Sequence, residues 1–214
     1  MDFLPEEIEN YVLQHIEKEP EILRELNHET WEKVLIPRML SGHLQGRVLS
    51  MLSHMIQPKT ILEIGTYTGY SAICLAEGLQ IGGELHTIDI NEELESMVTK
   101  YIEKANLKNI VFNHIGNAMD IIPTLNKTYD IVFIDADKTN YCNYYDLVFN
   151  QVKIGGYIIA DNVLWSGKVV ENKEKLDADT LALMAYSEKV NTDNRVQSVL
   201  FPIRDGLMVV RKKR

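Results

Sequence analysis

The stretch Ile61-Leu62-Glu63-Ile64-Gly65-Thr66-Tyr67-Thr68-Gly69-Tyr70-Ser71 constrains the fold more than any other part of the chain. It opens with a short apolar run, as a buried strand does. It then turns through Gly65 and Gly69 into an apolar-periodic segment, Ala72 to Leu79, that reads as a helix. Strand, glycine turn and helix begin a doubly wound α/β unit, whose ligands sit at the carboxyl ends of the strands. Gly65 removes a Cβ where the chain must pass close to a ligand or bend sharply. Asp89 follows 24 residues after Gly65 and closes a second apolar strand, Leu85-His86-Thr87-Ile88. An acidic residue about 20 residues past such a turn suits a grip on a ribose diol. Glu63 adds weight, because a carboxylate inside a buried strand is costly unless it is paired or binds something. The turn lacks the Gly-x-Gly-x-x-Gly that favours a dinucleotide, so taken alone it also fits an ordinary α/β domain.

Length and composition narrow the classes. The 214 residues suffice for one sizeable core and are marginal for two. With 45% hydrophobic and 25% charged residues the balance is that of a soluble globular protein. No apolar run approaches the roughly 18 residues that span a bilayer. The start, Met1-Asp2-Phe3-Leu4-Pro5-Glu6-Glu7, is acidic and has no signal-peptide pattern, so a cytoplasmic location is expected. A net charge of −9 argues against a broad polyanion-binding surface. Cys74 and Cys142 fall in helix-like stretches and read as reduced, buried thiols.

Residues 1–57 read as a helical cap on a core that occupies 58–214. Pro5 fits a first helical position, with Ile8, Tyr11, Val12 and Ile16 at helical spacing after it. Pro20 ends that helix; a second runs from Glu21 to Leu35, and a third from about Leu44 to Ile56. From Lys59 the chain alternates strands at 60–64, 84–89, 110–115, 129–135 and 156–161 with helices near 70–80, 92–106, 117–125 and 139–151. Asn91 fits an N-cap with Glu92 and Glu93 in the first turn. This alternation predicts a mainly parallel sheet with helices on both faces. A helix at 176–191 and strands at 195–201 and 206–212 follow, and the short Pro202-Ile203-Arg204-Asp205 link makes the last two an antiparallel hairpin at the sheet edge. Seven strands result, in one domain over 1–214, without internal repeat or linker.

Two strand ends carry an unusual polar set. They are Ile131-Val132-Phe133-Ile134-Asp135-Ala136-Asp137-Lys138-Thr139-Asn140-Tyr141 and Tyr157-Ile158-Ile159-Ala160-Asp161-Asn162-Val163-Leu164-Trp165. If the two strands are neighbours, Asp135, Asp161 and Asn162 converge. Two carboxylates and an amide oxygen make a half-shell for an octahedral, Mg²⁺-like ion, with positions left for water and substrate. Lys138 would stand beside that ion. One such strand end is most simply a helix cap; two together, with Asp161 and Asn162 adjacent, favour the ion site.

These stretches, with Glu63 to Ser71, resemble the cation-dependent class I O-methyltransferases, the family of catechol and caffeoyl-CoA O-methyltransferases, and its bacterial branch in particular. The resemblance runs from about Pro37 to the C-terminus and includes Gly116-Asn117-Ala118 and Asp205-Gly206-Leu207. It implies a Rossmann-like methyltransferase fold and S-adenosylmethionine as cofactor. By motif position Glu63 and Ser71 hold the amino-acid end, with the Gly65-Thr66 backbone close by. Asp89 binds the ribose and Ala118 lies at the adenine. Ser41 falls where the family has a backbone contact to the cofactor, and Asp135 borders it. Asp135, Asp161 and Asn162 match the metal ligands, with Mg²⁺ first and Mn²⁺ or Ca²⁺ as substitutes. Lys138 matches the catalytic base, and a cation beside it favours the neutral amine a base needs. The expected substrate is a small phenolic with adjacent hydroxyls, and the family suggests a homodimer.

The chain departs from the mammalian catechol enzyme at two places. Val199 stands where that enzyme has a substrate-orienting glutamate, and Ala136 and Asp137 replace its aromatic gate. Trp165 instead resembles the plant and bacterial branch. Two rival readings remain: methylation of a hydroxylated uridine in tRNA, and a cofactor-binding protein without catalysis. The net charge weighs against RNA, and the intact Asp135, Lys138, Asp161 and Asn162 set weighs against loss of catalysis. The six histidines are scattered without ligand spacing, though His43 sits near the cofactor cap. Tyr141, Tyr144 and Tyr145 read mainly as packing. Arg211-Lys212-Lys213-Arg214 reads as a solvated edge strand and tail. The polar stretch 163–178 reads as a mobile loop over the site.

Overall fold

Alternation within the strands decides how the layers form. A computed structural model of the chain describes residues 5–172 and 176–214. The quoted start Met1 to Leu4 and residues 173–175 of the expected loop lie outside the described residues. Strand β1 (Thr60–Ile64) is buried along its whole length. Its odd residue Ile61 joins Leu85, Ile131, Phe133 and Ile159 in one apolar cluster, while Leu62 and Ile64 join Val132, Ile134 and Ile158 in another. A two-residue period places these sets on opposite faces of the sheet.

The strands after β1 are β2 (Glu84–Asp89), β3 (Val111–Ile115), β4 (Tyr129–Ile134), β5 (Val152–Ala160), β6 (Val196–Phe201) and β7 (Leu207–Lys212). They form one seven-stranded sheet in the order β3-β2-β1-β4-β5-β7-β6. The first five pair in parallel, and β7 runs antiparallel to both β5 and β6. The edge is therefore β6, and β7 lies inside. This corrects the reading of Arg211 and Lys212 as part of an edge strand; Arg211 is exposed as expected, and Lys212 is partly buried. Lys212 Nζ instead donates to the Phe149 and Val152 carbonyls, 2.8 Å from each.

One face carries α6 (Ala118–Leu125), α7 (Tyr141–Phe149) and α8 (Ala178–Thr192). The other carries α4 (Tyr70–Ala76) and α5 (Glu95–Lys104). All seven residues of α4 are buried, because α2 (Glu21–Lys33) and α3 (Gly42–Ile56) pack over it from outside. The helical layer expected from residues 1–57 thus consists of α2 and α3; α1 (Glu6–Gln14) buries no residue. Pro5 and Pro20 are the N-cap residues of α1 and α2, Pro5 one residue ahead of the first helical position expected for it. An amide there would have no intrahelical acceptor, so the missing N–H costs nothing, and both carbonyls accept the first helical bonds.

Element ends differ from expectation for local reasons. Strand β5 begins at Val152 rather than 156: Gly155 adopts φ +84°, and the register with β4 shifts between Tyr129 and Ile131, so pairing continues through the Gly155-Gly156 pair as a bulge. Asn91 does cap, accepting from the Glu93 amide, but it opens a 3-10 turn ahead of α5. A similar 3-10 turn, Lys138–Asn140, precedes α7. Among the described residues no helix is long and apolar enough to cross a membrane.

Candidate active site

The strand order reverses between β1 and β4, and ligands of open α/β sheets bind beyond the carboxyl ends of strands at such a point. The predicted residues lie in a row along that edge. Ala118 opens α6 after β3, and Asp89 ends β2. Glu63 and Gly65 end β1, Asp135 and Lys138 follow β4, and Asp161 and Asn162 follow β5. With neighbouring strands about 4.8 Å apart, the row from β3 to β5 spans roughly 19 Å.

Glu63 is 0% exposed. Its Oε2 accepts from the Thr87 hydroxyl at 2.5 Å, while Oε1 has no hydrogen-bond partner among the described residues. Thr87 has one proton and gives it to Glu63, so the 2.5 Å contact between the Thr66 and Thr87 hydroxyls has Thr66 as donor. Burial pushes the Glu63 carboxyl up to about 8, against the hydroxyls of Ser71 and Thr87, which favour its charged form. Ser71 is buried in the first turn of α4. A buried carboxylate oxygen without a donor costs about 1–3 kcal/mol or more. An ammonium group, such as that on the amino-acid end of S-adenosylmethionine, would satisfy it, so this chain's residues fit that cofactor.

Gly65 has φ +102°, and a Cβ there would stand 1.9 Å from the Asp135 carbonyl oxygen. The close approach expected at this glycine is to the next strand end, which the Asp135 amide reinforces by donating to the Ile64 carbonyl at 2.8 Å. Asp89 is already half engaged: Oδ2 accepts from the Tyr67 amide at 2.7 Å and Oδ1 from the Asn91 amide at 2.9 Å. Its carboxylate therefore shapes the glycine turn and keeps further lone pairs for a diol. Asn117 accepts from the Met119 amide and so sets the start of α6 at Ala118. Ser41 is buried at the start of α3, and its side chain caps nothing. His43 turns away, its Nε2 2.7 Å from the Glu17 carbonyl at the surface.

Strands β4 and β5 are neighbours, with Ile134 opposite Ala160. Lys138 Nζ donates to Asn162 Oδ1 at 2.7 Å, Asp135 Oδ1 at 2.9 Å and the Tyr141 hydroxyl at 2.9 Å. One ammonium thus stands among oxygens from both strand ends. Asp161 is 3% exposed; its Oδ1 accepts from the Asn162 amide at 2.8 Å and Oδ2 from Gln45 Nε2 at 2.5 Å. Burial, then the neighbouring Asp135 carboxylate, raises the Asp161 carboxyl well above the usual range. Two carboxylates meet here, and among the described residues one cation, Lys138, is in contact, on Asp135. Hard oxygens in that state suit a divalent ion such as Mg²⁺, with the lysine as the present stand-in.

A roof covers the cluster. The Trp165 ring lies 5.6 Å from Lys138 Nζ. The backbone leading to it is pinned: the Leu164 amide donates to the Asp205 carbonyl at 2.8 Å, and the Ser166 amide donates to the Asp205 carboxylate. The first part of the expected loop is therefore anchored, as a kinked 3-10 segment, Trp165–Val170. Val199 is about half exposed on β6, paired with Val209.

Gln45, Thr87, Tyr141 and Arg204 were not among the predicted site residues. Tyr141 carried a signal, standing in the Asp135-to-Tyr141 motif three residues past Lys138. Thr87 lies opposite Glu63 across β1 and β2, a pairing that appears only once the register is known. Gln45 and Arg204 reach the site from segments 116 and 43 residues away from Asp161 in sequence, and no local pattern marks them.

Residues 13–213 match the family described as O-methyltransferase. Caffeoyl-CoA O-methyltransferase 2 of Eucalyptus globulus is 34% identical over 209 residues, covering 91% of this chain and 83% of that protein. The caffeoyl-CoA O-methyltransferase of Stellaria longipes is 30% identical over 219 residues, covering 97% and 90%. The Bacillus cereus O-methyltransferase, solved in complex with SAH, superposes with TM-score 0.89 at 28% identity over 97% of each chain. The Streptomyces achromogenes O-methyltransferase TomG, solved with SAM, gives TM-score 0.87 at 28% identity over 97% and 96%. The chain belongs to the O-methyltransferase family, enzymes that take their methyl group from S-adenosylmethionine.

Proposed function

We propose that this enzyme methylates one hydroxyl of a small catechol-like phenolic and that the reaction depends on a divalent ion. The observation that carries the reading is the convergence of Asp135, Asn162 and Lys138, with Asp161 beside them, at the ends of two neighbouring strands. Names of similar proteins add support, since the plant relatives are caffeoyl-CoA O-methyltransferases.

In this reading Glu63 and Ser71 hold the amino-acid end of the cofactor, next to the Gly65-Thr66 backbone and Ser41. Asp89 takes the ribose hydroxyls, and Ala118 borders the adenine. Asp135 follows β4, between the residues that would hold the cofactor and those that would hold the ion, and would border both. Asp135, Asp161 and Asn162 supply three oxygen donors. A divalent ion held there supplies Lewis acidity, making a nearby hydroxyl easier to deprotonate. Lys138 accepts that proton, and Tyr141 fixes the amine by accepting from it while donating to the Asp161 carbonyl at 3.0 Å. Trp165 lies over the lysine and excludes water from the acceptor's ring. Most of the rate enhancement is positioning. The same reading treats residues 1–214 as one methyltransferase domain, in a cytoplasmic homodimer.

The test is an acceptor screen with labelled S-adenosylmethionine, using catechols, matched monophenols and tRNA, each with and without chelator. Chelator-sensitive labelling of a catechol supports the reading. Labelling of tRNA alone, or of a catechol equally well in chelator, contradicts it.

A further inference from the structure

Asp161 meets a side chain from a segment distant in sequence. Gln45 lies in the first turns of α3 and is 3% exposed. Its Nε2 donates to Asp161 Oδ2 at 2.5 Å, and its Oε1 accepts from Arg204 Nη1 at 3.1 Å. The amide can point only one way: a carboxylate takes the donor end, and a guanidinium takes the acceptor end. Arg204 is itself held, since the same Nη1 donates to the Leu40 carbonyl at 3.2 Å. It sits at φ +49° in the link between β6 and β7, beside the Asp205 that pins the Trp165 segment.

We propose that Gln45 and Arg204 are positioning residues for Asp161, a relay in which a neutral amide fixes the carboxylate without consuming its charge. The proposal rests on the reading that Asp161 ligates a divalent ion. An arginine placed directly on Asp161 would hold it as firmly, but would form an ion pair that competes with the metal. With the amide between them, the guanidinium sets the amide's orientation without itself pairing with Asp161. Oδ1 is occupied in parallel by the Asn162 amide. Each Asp161 oxygen then carries one protein hydrogen bond and keeps a further lone pair for the ion. The relay also ties the Leu40-Ser41 segment, on the cofactor side, to the metal side. Partners that orient ligands in this way typically change metal affinity by about 10–100-fold when removed.

The test measures Mn²⁺ binding to the purified chain without acceptor, by the electron paramagnetic resonance signal of free Mn²⁺. Wild type, Gln45→Met, Arg204→Met and Asp161→Ala are compared, with S-adenosylmethionine affinity measured by calorimetry on each. Methionine keeps the length of glutamine and removes both hydrogen bonds. Gln45→Met is expected to weaken Mn²⁺ binding roughly tenfold or more, and Arg204→Met less, while cofactor affinity stays within about twofold. Asp161→Ala separates the two claims. If it binds Mn²⁺ as wild type does, the ligand reading fails and the relay loses its object. If Asp161→Ala loses Mn²⁺ while Gln45→Met keeps wild-type affinity, the relay alone is refuted. Equal losses of Mn²⁺ and cofactor affinity in Gln45→Met also refute it, because they mark a general packing role. Should Gln45→Met fail to fold, unchanged Mn²⁺ affinity in folded Arg204→Met overturns the proposal.

Discussion

The Lys138 ammonium lies 2.7 Å from the Asn162 amide oxygen, bridging the loops that follow β4 and β5. All three of its protons are used, on Asn162, Asp135 and Tyr141. The base proposed for the reaction therefore occupies the place a cation would take. Removing it should have two separable effects.

Lys138→Met is expected to bind Mn²⁺ at least as tightly as wild type, because a like charge has left the ligand cluster. Its turnover should fall by roughly 10²–10⁴, the scale for a positioned base. Arginine should not restore turnover, since a guanidinium stays protonated. Calorimetry with Mn²⁺ and single-turnover assays with labelled cofactor check the two effects. Near-normal turnover in the methionine variant would remove Lys138 from the chemistry.

Asp89→Ala should weaken S-adenosylmethionine binding by roughly 1.5–3 kcal/mol for the lost charge-assisted contact. Because Asp89 also accepts from the Tyr67 and Asn91 amides, the loss should be accompanied by a lower melting temperature. Calorimetry and a thermal melt on one sample separate the two. Unchanged affinity in a folded variant would exclude Asp89 from the cofactor site.

Glu63 predicts a pH dependence. Burial raises its folded-state value to about 8, above an unfolded carboxyl near 4.5. Between those values the native chain keeps a proton that the unfolded chain gives up. Stability of the cofactor-free protein should therefore fall as pH rises from about 4.5 to about 8, then level off. Glu63→Gln cannot ionise, so relative to wild type it should gain stability across that window. Thermal melts at pH 5 and pH 9 on both proteins, about the two sides of the window, check the sign. A wild type that gains on the variant as pH rises would contradict the assignment of Glu63 as a buried, poorly satisfied carboxyl.

Gly65→Ala places a methyl group against the Asp135 carbonyl in a backbone with positive φ. Overpacking costs about 1–3 kcal/mol, and the left-handed conformation adds roughly 1–2. Chemical denaturation should show a loss within that combined range or a failure to fold. A variant as stable as wild type would show that β1 and β4 end farther apart than described.

Most of the fold was legible because its signals are local. Apolar runs at 60–64, 84–89 and 129–134, each followed by polar residues and a helix, allow little besides a parallel sheet. What the pattern could not supply was pairing. Thr87 acts on Glu63 only because Glu63 lies opposite it across β1 and β2, and Gln45 acts on Asp161 only because α3 packs where it does. The order of the last hairpin was also hidden: alternation in 196–201 and 207–212 is alike, and nothing local says that β7 lies inside. The candidate site was read from Asp135, Lys138, Asp161 and Asn162 because hard donors directly after apolar strands need few long-range facts. Gly65 was read as a point where the chain passes close to a ligand or bends; the close approach in the structure is to the Asp135 backbone.

The most direct test of the central claim compares a catechol with its monohydroxy analogue. Asp135, Asp161 and Asn162 give three oxygen donors, and a Mg²⁺-like ion takes about six. Neighbouring hydroxyls would fill two of the remaining positions and fix the acceptor's orientation, whereas a single hydroxyl would fill one and leave it free to turn. Initial rates are measured for both acceptors with chelator, with added Mg²⁺ or Mn²⁺, and with Asp161→Ala. The account predicts turnover of the catechol alone, abolished by chelator, restored by metal and lost in the variant. Equal turnover of both acceptors in chelator would contradict it and leave only a metal-independent methyl transfer.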